Sequence, residues 1–311
     1  MKERPKKVLG IVTSLRPGGN SEMLARVALR AASRRGAQTD MVFLRDLKIE
    51  FCDGCLACVF KTGTCHRQDD VHWLYETARA YDGLILSSPT YMLGAPAQVK
   101  ALVDRSVGEM VSGAGRPAIP VGTIAVAGIA GWDYFVRPAL RQLGLVFGGR
   151  LVGDVMAFAP GPAESLLDSR LVNDAEELGV AVLEDRVLEP PEGVCPVCHL
   201  PTRPPGTVAP GAAAEDLPGH SAGPCPFCLH DPRNPDTPHR FTPHSLGHFM
   251  ADWMLPTRDR FLARKAEVKA AAASLLETEV GRRRPEPGLR EESDGREEPG
   301  RTGRRVPVGG R

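Results

Sequence analysis

Strand-like and helix-like segments alternate along the first 188 residues, and this alternation limits the fold more than any other feature of the sequence. Short apolar runs rich in β-branched residues, such as Lys7–Ser14, are typical of buried strands. Longer runs with apolar residues three and four positions apart, such as Asn20–Arg35, are typical of helices. Helices between successive strands predict an α/β domain, in which a parallel sheet is covered by helices on both faces.

Four further strands and four further helices are predicted in this region. The strands are Thr39–Leu44, Gly83–Ser87, Gly122–Ala127 and Leu151–Ala159, and the helices are Asp70–Ala80, Ala97–Val107, Tyr134–Phe147 and Glu164–Arg186. Five parallel strands with right-handed crossovers fit the flavodoxin-type doubly wound order 2-1-3-4-5. Another three-layer α/β domain remains the alternative, because the pattern of segments does not determine strand order.

The composition changes after Leu188 and divides the rest of the chain into three predicted segments. Residues 189–235 are rich in Pro and Gly and contain cysteine pairs, residues 236–280 include a helical stretch, and residues 281–311 form a charged tail. The tail is nearly free of large apolar residues and is predicted to be disordered. Its arginines are mixed with acidic residues, which indicates a solvated segment rather than a nucleic-acid-binding arm.

The charge and hydropathy of the chain exclude several kinds of partner. The formal net charge is +1, which gives no electrostatic reason to expect nucleic acid or an acidic membrane. Apolar runs such as the one from Val121 to Ala130 are too short to span a bilayer. The basic segment Met1–Lys7 does not lead into a signal peptide. We therefore expect a cytoplasmic protein that binds neither membrane nor nucleic acid.

The first predicted strand runs into the loop Ser14–Ser21, which leads directly into a helix. Such a loop gathers backbone N–H groups, small hydroxyls and the positive end of a helix around one point, which attracts an anion. Two glycines allow close approach of the backbone, and Arg16 can add charge. The spacing differs from a P-loop and from a dinucleotide fingerprint, so a single terminal phosphate fits better. An ordinary helix capped by Asn20 or Ser21 is the alternative.

Two more loops leave the carboxyl ends of predicted strands, where open α/β sheets bind their ligands. The third strand ends in Ser87–Gly94 and is followed by the helical stretch Ala95–Arg105. The fourth strand ends in Ala127–Trp132. Together with the loop after the first strand, they predict one ligand site at this edge of the sheet.

These motifs resemble those of the NADPH-dependent FMN reductase and iron–sulfur flavoprotein group of the flavodoxin-like superfamily. Thr13–Ser21 is similar to the family loop Gly-Ser-Pro-Arg-x-x-Gly-Asn-Ser, with Leu15 in place of the usual Pro. Ser88–Tyr91, followed by Lys100, Asp104 and Arg105, is similar to the second signature of the family. The resemblance covers roughly residues 5–188 and implies a flavodoxin-like fold that binds FMN.

The resemblance also implies which residues surround the flavin. The FMN phosphate would be held by Ser14, Arg16, Asn20 and Ser21, with Gly19 allowing the backbone to approach. The ring would pack beside Pro89, Thr90, Tyr91, Met92, Ala127 and Gly128. Tyr91, Trp132 and Tyr134 are candidates for lining its open face, and packing in the core is the alternative for these aromatic residues. The family further implies a homo-oligomer, either a dimer or a tetramer.

Four of the eight cysteines, Cys52, Cys55, Cys58 and Cys65, have the spacing C-x2-C-x2-C-x6-C. Three thiolates at three-residue steps can surround one cubane, and a fourth from a short loop can complete it. A single zinc usually takes pairs from two separate knuckles, so the spacing favours a 4Fe–4S cluster. The resembling iron–sulfur flavoproteins carry a similar run after the second strand. An FMN reductase that keeps these cysteines as thiols is the alternative.

The other four cysteines form two C-P-x-C knuckles, Cys195/Cys198 and Cys225/Cys228. Two such turns can present four sulfurs to one metal, which predicts a structural zinc ribbon. Rubredoxin-type iron is the alternative, although His199 and Leu229 stand where that site would have glycines. A nearby histidine could also replace one of the cysteines.

Together these features predict an FMN-dependent oxidoreductase or electron-transfer flavoprotein. It would move electrons between NAD(P)H or ferredoxin and a small-molecule acceptor, with the chemistry on the flavin rather than on a catalytic side chain. A plain NAD(P)H:FMN or quinone reductase without a cluster is one alternative. A zinc-ribbon interaction scaffold on a flavodoxin-like fold is the other.

Overall fold

The structure, a computed structural model, describes residues 4–112, 116–190 and 195, and also residues 259, 262, 263 and 266. The chain divides into two compact units, Met1–Arg260 and Phe261–Arg311. Only three residues of the second unit are described, and all three are helical. The segments predicted after residue 188 lie almost wholly outside the described residues, so those predictions are not tested.

Strands and helices alternate through the described part of the first unit. They are β1 (Lys7–Val12), α1 (Asn20–Arg34), β2 (Gln38–Phe43), α2 (Val71–Arg79), β3 (Gly83–Pro89), α3 (Ala97–Ser112), β4 (Ile119–Ala127), α4 (Val136–Val146), β5 (Gly149–Phe158) and α5 (Ser169–Glu184). The strands are all parallel, in the order β2-β1-β3-β4-β5. The predicted flavodoxin-type order is therefore confirmed. None of the helices in the described ranges is both long and apolar enough to cross a membrane.

The predicted helix Glu164–Arg186 is divided into two pieces. A 3-10 turn covers Glu164–Leu167, and α5 starts at Ser169. The break lies at Asp168, whose backbone is extended rather than helical. Its side chain caps the new helix by accepting a hydrogen bond from the N–H of Arg170. A carboxylate in this position satisfies a free helical N–H group, so it starts a helix rather than continuing one.

The sheet is buried on both faces, as the parallel arrangement requires. Val8 and Val12 of β1 belong to the core that the sheet forms with α1 and α5. Leu9 and Ile11 belong to the core on the opposite face, with α2, α3 and α4. This alternation follows from the period of two in a strand. Gly179 brings α5 close to α1, because a Cβ atom there would overlap the backbone of α1.

Parallel pairing places the carboxyl ends of all five strands at one edge of the sheet. The loops after β1, β3, β4 and β5 meet at this edge. The chain leaves β2 through a 3-10 turn, Leu44–Asp46, and then enters the loop that carries the first four cysteines. The fold therefore brings the predicted phosphate loop and the predicted cluster loop to the same edge of the sheet.

Candidate functional site

A cavity of about 260 Å³ lies at this edge, between the loops that follow β1, β3, β4 and β5. Nine of the eleven residues predicted to bind FMN line it, namely Ser14, Arg16, Gly19, Asn20, Ser21, Pro89, Thr90, Tyr91 and Gly128. Val126, Ala159 and Pro160 complete the lining, and sequence reasoning missed these three. The signal that could have found Ala159 and Pro160 is their position directly after the fifth strand.

The other two predicted residues, Met92 and Ala127, do not line the cavity. Met92 lies at the tip of a tight turn closed by hydrogen bonds between Tyr91 and Gly94, and it is 85% exposed. The carbonyl of Ala127 accepts the N–H of Ala159, so Ala127 joins β4 to the chain after β5. The structure therefore places both residues beside the cavity wall rather than in it.

The start of α1 is open to an anion. The helix follows Gly19, whose backbone is extended, and no side chain caps its first N–H groups. The predicted alternative, a helix capped by Asn20 or Ser21, is therefore wrong. The hydroxyl of Ser14 accepts the N–H of Arg16 at 3.2 Å and donates to the carbonyl of Arg16 at 3.0 Å, which shapes the turn before the helix. Free N–H groups at the positive end of a helix favour a phosphate.

The side chain of Asn20 has a different role from the predicted phosphate contact. Its Nδ2 donates to the carbonyls of Ala159 and Gly161 at 2.8 and 2.7 Å, and its Oδ1 accepts the N–H of Ser165 at 3.0 Å. The side chain is buried, and these contacts use both its amide and its carbonyl. Asn20 therefore positions the loop that supplies Ala159 and Pro160 to the cavity, and it offers a ligand only its backbone N–H.

Glu22 holds the other side of the phosphate loop. Its Oε2 accepts the N–H of Gly18 and a hydrogen bond from Arg45, both at 3.0 Å, and its Oε1 accepts from Arg26. Burial favours a raised pKa for Glu22, but the hydrogen bonds from Arg26, Gly18 and Arg45 together lower it. The guanidinium of Arg45 also stacks on Phe43, 3.9 Å from the ring centre. The charged group thus fixes the loop without facing the cavity.

The loop after β3 contributes a buried polar atom that has no partner among the described residues. Thr90 lines the cavity, its backbone N–H donates to the carbonyl of Val126 at 2.7 Å, and its Oγ1 is buried with no hydrogen-bond partner among the described residues. A buried hydroxyl without a hydrogen bond destabilises the folded protein unless a ligand provides the missing partner. The atom therefore fits a polar group bound in the cavity.

The three aromatic residues predicted to line the open face of the flavin are all partly exposed. Tyr91, Trp132 and Tyr134 are each 40–47% exposed. Tyr134 also contacts Phe135 edge to face, with ring centres 4.8 Å apart. The predicted alternative for these residues, packing in the core, is therefore wrong. Tyr91 is the one of the three that lines the cavity, where its half-exposed ring provides a flat apolar surface for a ligand.

The four cysteines of the first group converge on a second, smaller cavity. Cys52, Cys55, Cys58 and Cys65 all line it, with Arg67 and Arg105 among its other walls. The N–H of Gly54 donates to the sulfur of Cys52 at 3.4 Å. Cys52 and Cys55 are exposed, whereas Cys58 and Cys65 are partly buried. Four soft thiol ligands on one short loop fit an iron–sulfur cluster.

The electrostatics of the loop reflect how close the thiols are. Burial raises the pKa of Cys58, and the neighbouring thiols of Cys65, Cys55 and Cys52 raise it further. α3 approaches the loop so closely that a Cβ atom at Gly108 would lie 2.9 Å from the Cβ of Cys58. A cluster would relieve the repulsion among the sulfurs, because the metal neutralises the thiolates that bind it.

A carboxylate and an imidazole border the same loop. Hydrogen bonds from Cys55 hold the pKa of Asp53 at about 2, with Arg67 adding to the effect. His66 Nδ1 lies 3.8 Å from the sulfur of Cys55, and the imidazole is about half exposed. Asp53, Cys55 and His66 nonetheless point their polar atoms at one another.

The second cysteine group lies mainly outside the described residues. Cys195 is buried. Cys198, Cys225 and Cys228 fall in the part of the chain that is not described, so the zinc ribbon stays a prediction.

The sheet order and the cavity at its carboxyl edge define a flavodoxin-like domain with a mononucleotide-type site. A solved structure of a flavone reductase shares this fold over 89% of this chain and 100% of its own, with a TM-score of 0.60 and 19% identity. At this level of identity, the likeness establishes the fold alone.

Sequence comparison relates the flavodoxin-like domain to a known family. Residues 6–156 match the family model for NADPH-dependent FMN reductase. An iron–sulfur flavoprotein of Methanosarcina thermophila is 44% identical over 101 residues, which cover 32% of this chain and 52% of the relative. An iron–sulfur flavoprotein of Archaeoglobus fulgidus is 29% identical over 181 residues, or 57% of this chain and 79% of the relative. The chain thus spans about half the length of the first of these relatives.

Proposed function

We propose that this chain is an FMN-dependent oxidoreductase that holds a 4Fe–4S cluster on Cys52, Cys55, Cys58 and Cys65. It would move electrons between NAD(P)H or ferredoxin and a small-molecule acceptor. The observation that carries the proposal is the convergence of the four thiols on one cavity, at the sheet edge that also bears the uncapped start of α1. Bound FMN accepts hydride and releases single electrons, and a cluster passes electrons one at a time.

The larger cavity supports FMN as its ligand. The first N–H groups of α1, together with Ser21 and Arg16, would bind the phosphate. The unpartnered hydroxyl of Thr90 would hydrogen-bond a polar group of the flavin. Three lining residues, Pro89, Tyr91 and Gly128, would border the flavin ring. Their side chains are small or flat, so a planar ring can lie beside them. Met92 and Ala127 would contribute through the shape of the turn and the strand that carry them.

The exposed aromatic residues support a flat, apolar acceptor. Tyr91, Trp132 and Tyr134 would cover one side of a planar molecule placed at the cavity mouth. No charged side chain other than Arg16 lines the described cavity. An acceptor of the quinone or unsaturated organic type would therefore bind mainly by apolar contact. We also propose a homo-oligomer, a cytoplasmic location and a structural zinc in the segment after residue 188.

The decisive experiment is anaerobic purification followed by an absorption spectrum and quantification of FMN, iron, acid-labile sulfide and zinc per chain. We expect FMN together with iron and sulfide in the proportions of one 4Fe–4S cluster. FMN without iron or sulfide would show that the protein is a plain reductase without a cluster. Protein that takes up no FMN would contradict the proposal altogether. Reduction by NADPH or by reduced ferredoxin then identifies the donor.

A second measurement tests the phosphate assignment itself. Arg16→Gln should weaken FMN binding several-fold and make it less dependent on salt, because a charge near the phosphate is lost. Riboflavin has no phosphate, so its weaker binding should not change in Arg16→Gln. An equal loss for both ligands would show that Arg16 acts on the ring site instead. Lys100→Gln, an exposed change on α3, is the control for net charge.

A further inference from the structure

The cysteine loop is fixed at its base by a buried ion pair between Arg105 of α3 and Asp69. Nη1 and Nη2 of Arg105 donate to Oδ2 and Oδ1 of Asp69 at 2.6 and 3.1 Å. The two side chains are only 2% and 1% exposed. Parallel hydrogen bonds of this kind fix the relative orientation of both groups. α3 and the end of the cysteine loop are therefore held in one geometry.

The same ion pair binds the start of the loop. The N–H of Glu50 donates to Asp69 at 2.8 Å, and the carbonyl of Glu50 accepts from Nη1 of Arg105 at 3.0 Å. The N–H of Val71, just after the loop, also donates to Asp69 at 3.3 Å. The chain before Cys52 and the chain after Cys65 thus converge on a single pair of charges.

Arg105 also faces the cysteines. It lines their cavity, and its Nε is buried with no hydrogen-bond partner among the described residues. Cys65 and the other three cysteines of this group line that same cavity, so the guanidinium lies beside the sulfur ligands proposed for the cluster. A buried N–H donor without an acceptor points to an acceptor that is supplied by a ligand.

We propose that Arg105 is a positioning residue for the iron–sulfur cluster, to whose sulfur atoms it supplies a buried positive charge and an N–H donor. This inference rests on the proposed function, because it requires the cluster. A reduced cluster carries one more negative charge than an oxidised one, so a nearby buried cation stabilises the reduced form and raises the reduction potential. Asp69 keeps Arg105 in place and ties both ends of the loop to it.

The test compares two variants with the wild-type protein, all purified without oxygen. Arg105→Lys keeps the charge but loses the planar pair of donors and Nε. The double change Arg105→Gln with Asp69→Asn removes both charges, so neither is left buried and unpaired. Lys100→Gln is the matched control, since Lys100 lies on the same helix and pairs with a carboxylate, but is exposed. Retained FMN and an unchanged circular dichroism spectrum report that each variant is folded.

The readouts are the reduction potential of the cluster, from a titration followed by electron paramagnetic resonance, and the rate of iron release to a chelator. We expect the potential to fall in Arg105→Lys and further in the double variant, with iron release about 10- to 100-fold faster in the double variant, as for lost outer contacts of other metal sites. Lys100→Gln should match the wild type in both. If the double variant does not fold, Arg105→Lys carries the same test.

Three results would overturn the inference. The first is a folded variant of Arg105 whose cluster has the wild-type reduction potential and the wild-type rate of iron release. This result would contradict the role of Arg105 but would leave the proposed cluster standing. An equal fall in potential for Lys100→Gln would show that the effect is not specific to Arg105. Wild-type protein that holds FMN but no iron or sulfide would remove the cluster and the role of Arg105 together, and the wild-type analysis alone identifies that case.

Discussion

The side-chain amide of Asn20 donates to the carbonyl of Ala159, a residue 139 positions later in the chain. This bond joins the first turn of α1 to the segment that follows β5. Both segments line the larger cavity, so a residue predicted to contact the phosphate instead joins two parts of the cavity lining. Its effect on ligand binding is therefore expected to accompany an effect on stability.

Asn20→Ala should lower both the free energy of unfolding and the affinity for FMN. The change removes three hydrogen bonds and leaves two carbonyls and one N–H unsatisfied, which we expect to cost about 2–3 kcal/mol. Urea unfolding of the apoprotein and FMN titration by fluorescence measure the two effects. Gln142→Ala removes an exposed amide from α4 and serves as the control. Weaker FMN binding with unchanged stability would instead favour a direct contact between Asn20 and the phosphate.

Thr90→Val should weaken FMN binding without destabilising the apoprotein. The hydroxyl has no partner among the described residues, so its loss removes only a contact to the ligand, with an expected cost of about 1 kcal/mol in binding. Thr13→Val is a matched control, because its hydroxyl is also buried and unpartnered but does not line the cavity. Calorimetric titration with FMN measures the difference. Equal FMN affinities for the two variants would argue against the hydroxyl contact.

Glu22→Gln should destabilise the protein at neutral pH by about 2 kcal/mol and should also weaken FMN binding, because the N–H of Gly18 loses a charged acceptor. The pKa of Glu22 is lowered in the folded protein, so its carboxylate stabilises the fold above the unfolded pKa of about 4.3. That contribution is lost as the pH falls through the lower, folded pKa. The stability gap between wild type and variant should therefore narrow below about pH 4.3.

Urea unfolding at a series of pH values from 7 to about 3 measures this gap. Glu177→Gln, which changes an exposed carboxylate of α5, should give a small difference at every pH. A gap for Glu22→Gln that stays constant with pH would show that shape, rather than charge, holds the loop.

Gly108→Ala should reduce the iron content of the protein while leaving FMN binding intact. The added methyl group would lie 2.9 Å from Cβ of Cys58, closer than side chains tolerate, so α3 and the cysteine loop must separate. Iron and sulfide per chain after anaerobic purification provide the measurement. Lys100→Ala on the exposed side of the same helix should keep the full iron content. Normal iron content in Gly108→Ala would show that the loop adapts without loss of its ligand geometry.

Most of the fold could be predicted from the sequence, because its signals are local. The β-branched run of β1 and the helical spacing of α1 are properties of neighbouring residues, and the ends of the five strands and five α-helices lie within five positions of the predicted ones. The loops after β1, β3 and β4 could likewise be assigned to one site, since parallel strands bring their carboxyl ends together. The break at Asp168 was missed because a capping carboxylate interrupts the helical pattern without changing its apolar spacing.

The sequence by itself determined the order of the elements, the residue types at the carboxyl edge and the spacing of the first four cysteines. Only the tertiary structure decided that the side chain of Asn20 binds the chain at Ala159 rather than facing the phosphate. It alone also joined Arg105 to Asp69 beneath the cysteines, across 36 positions of sequence. Periodicity and motif spacing depend on residues that are close in the sequence. Hydrogen bonds between distant segments depend instead on how the helices and loops pack, and no local pattern predicts that packing.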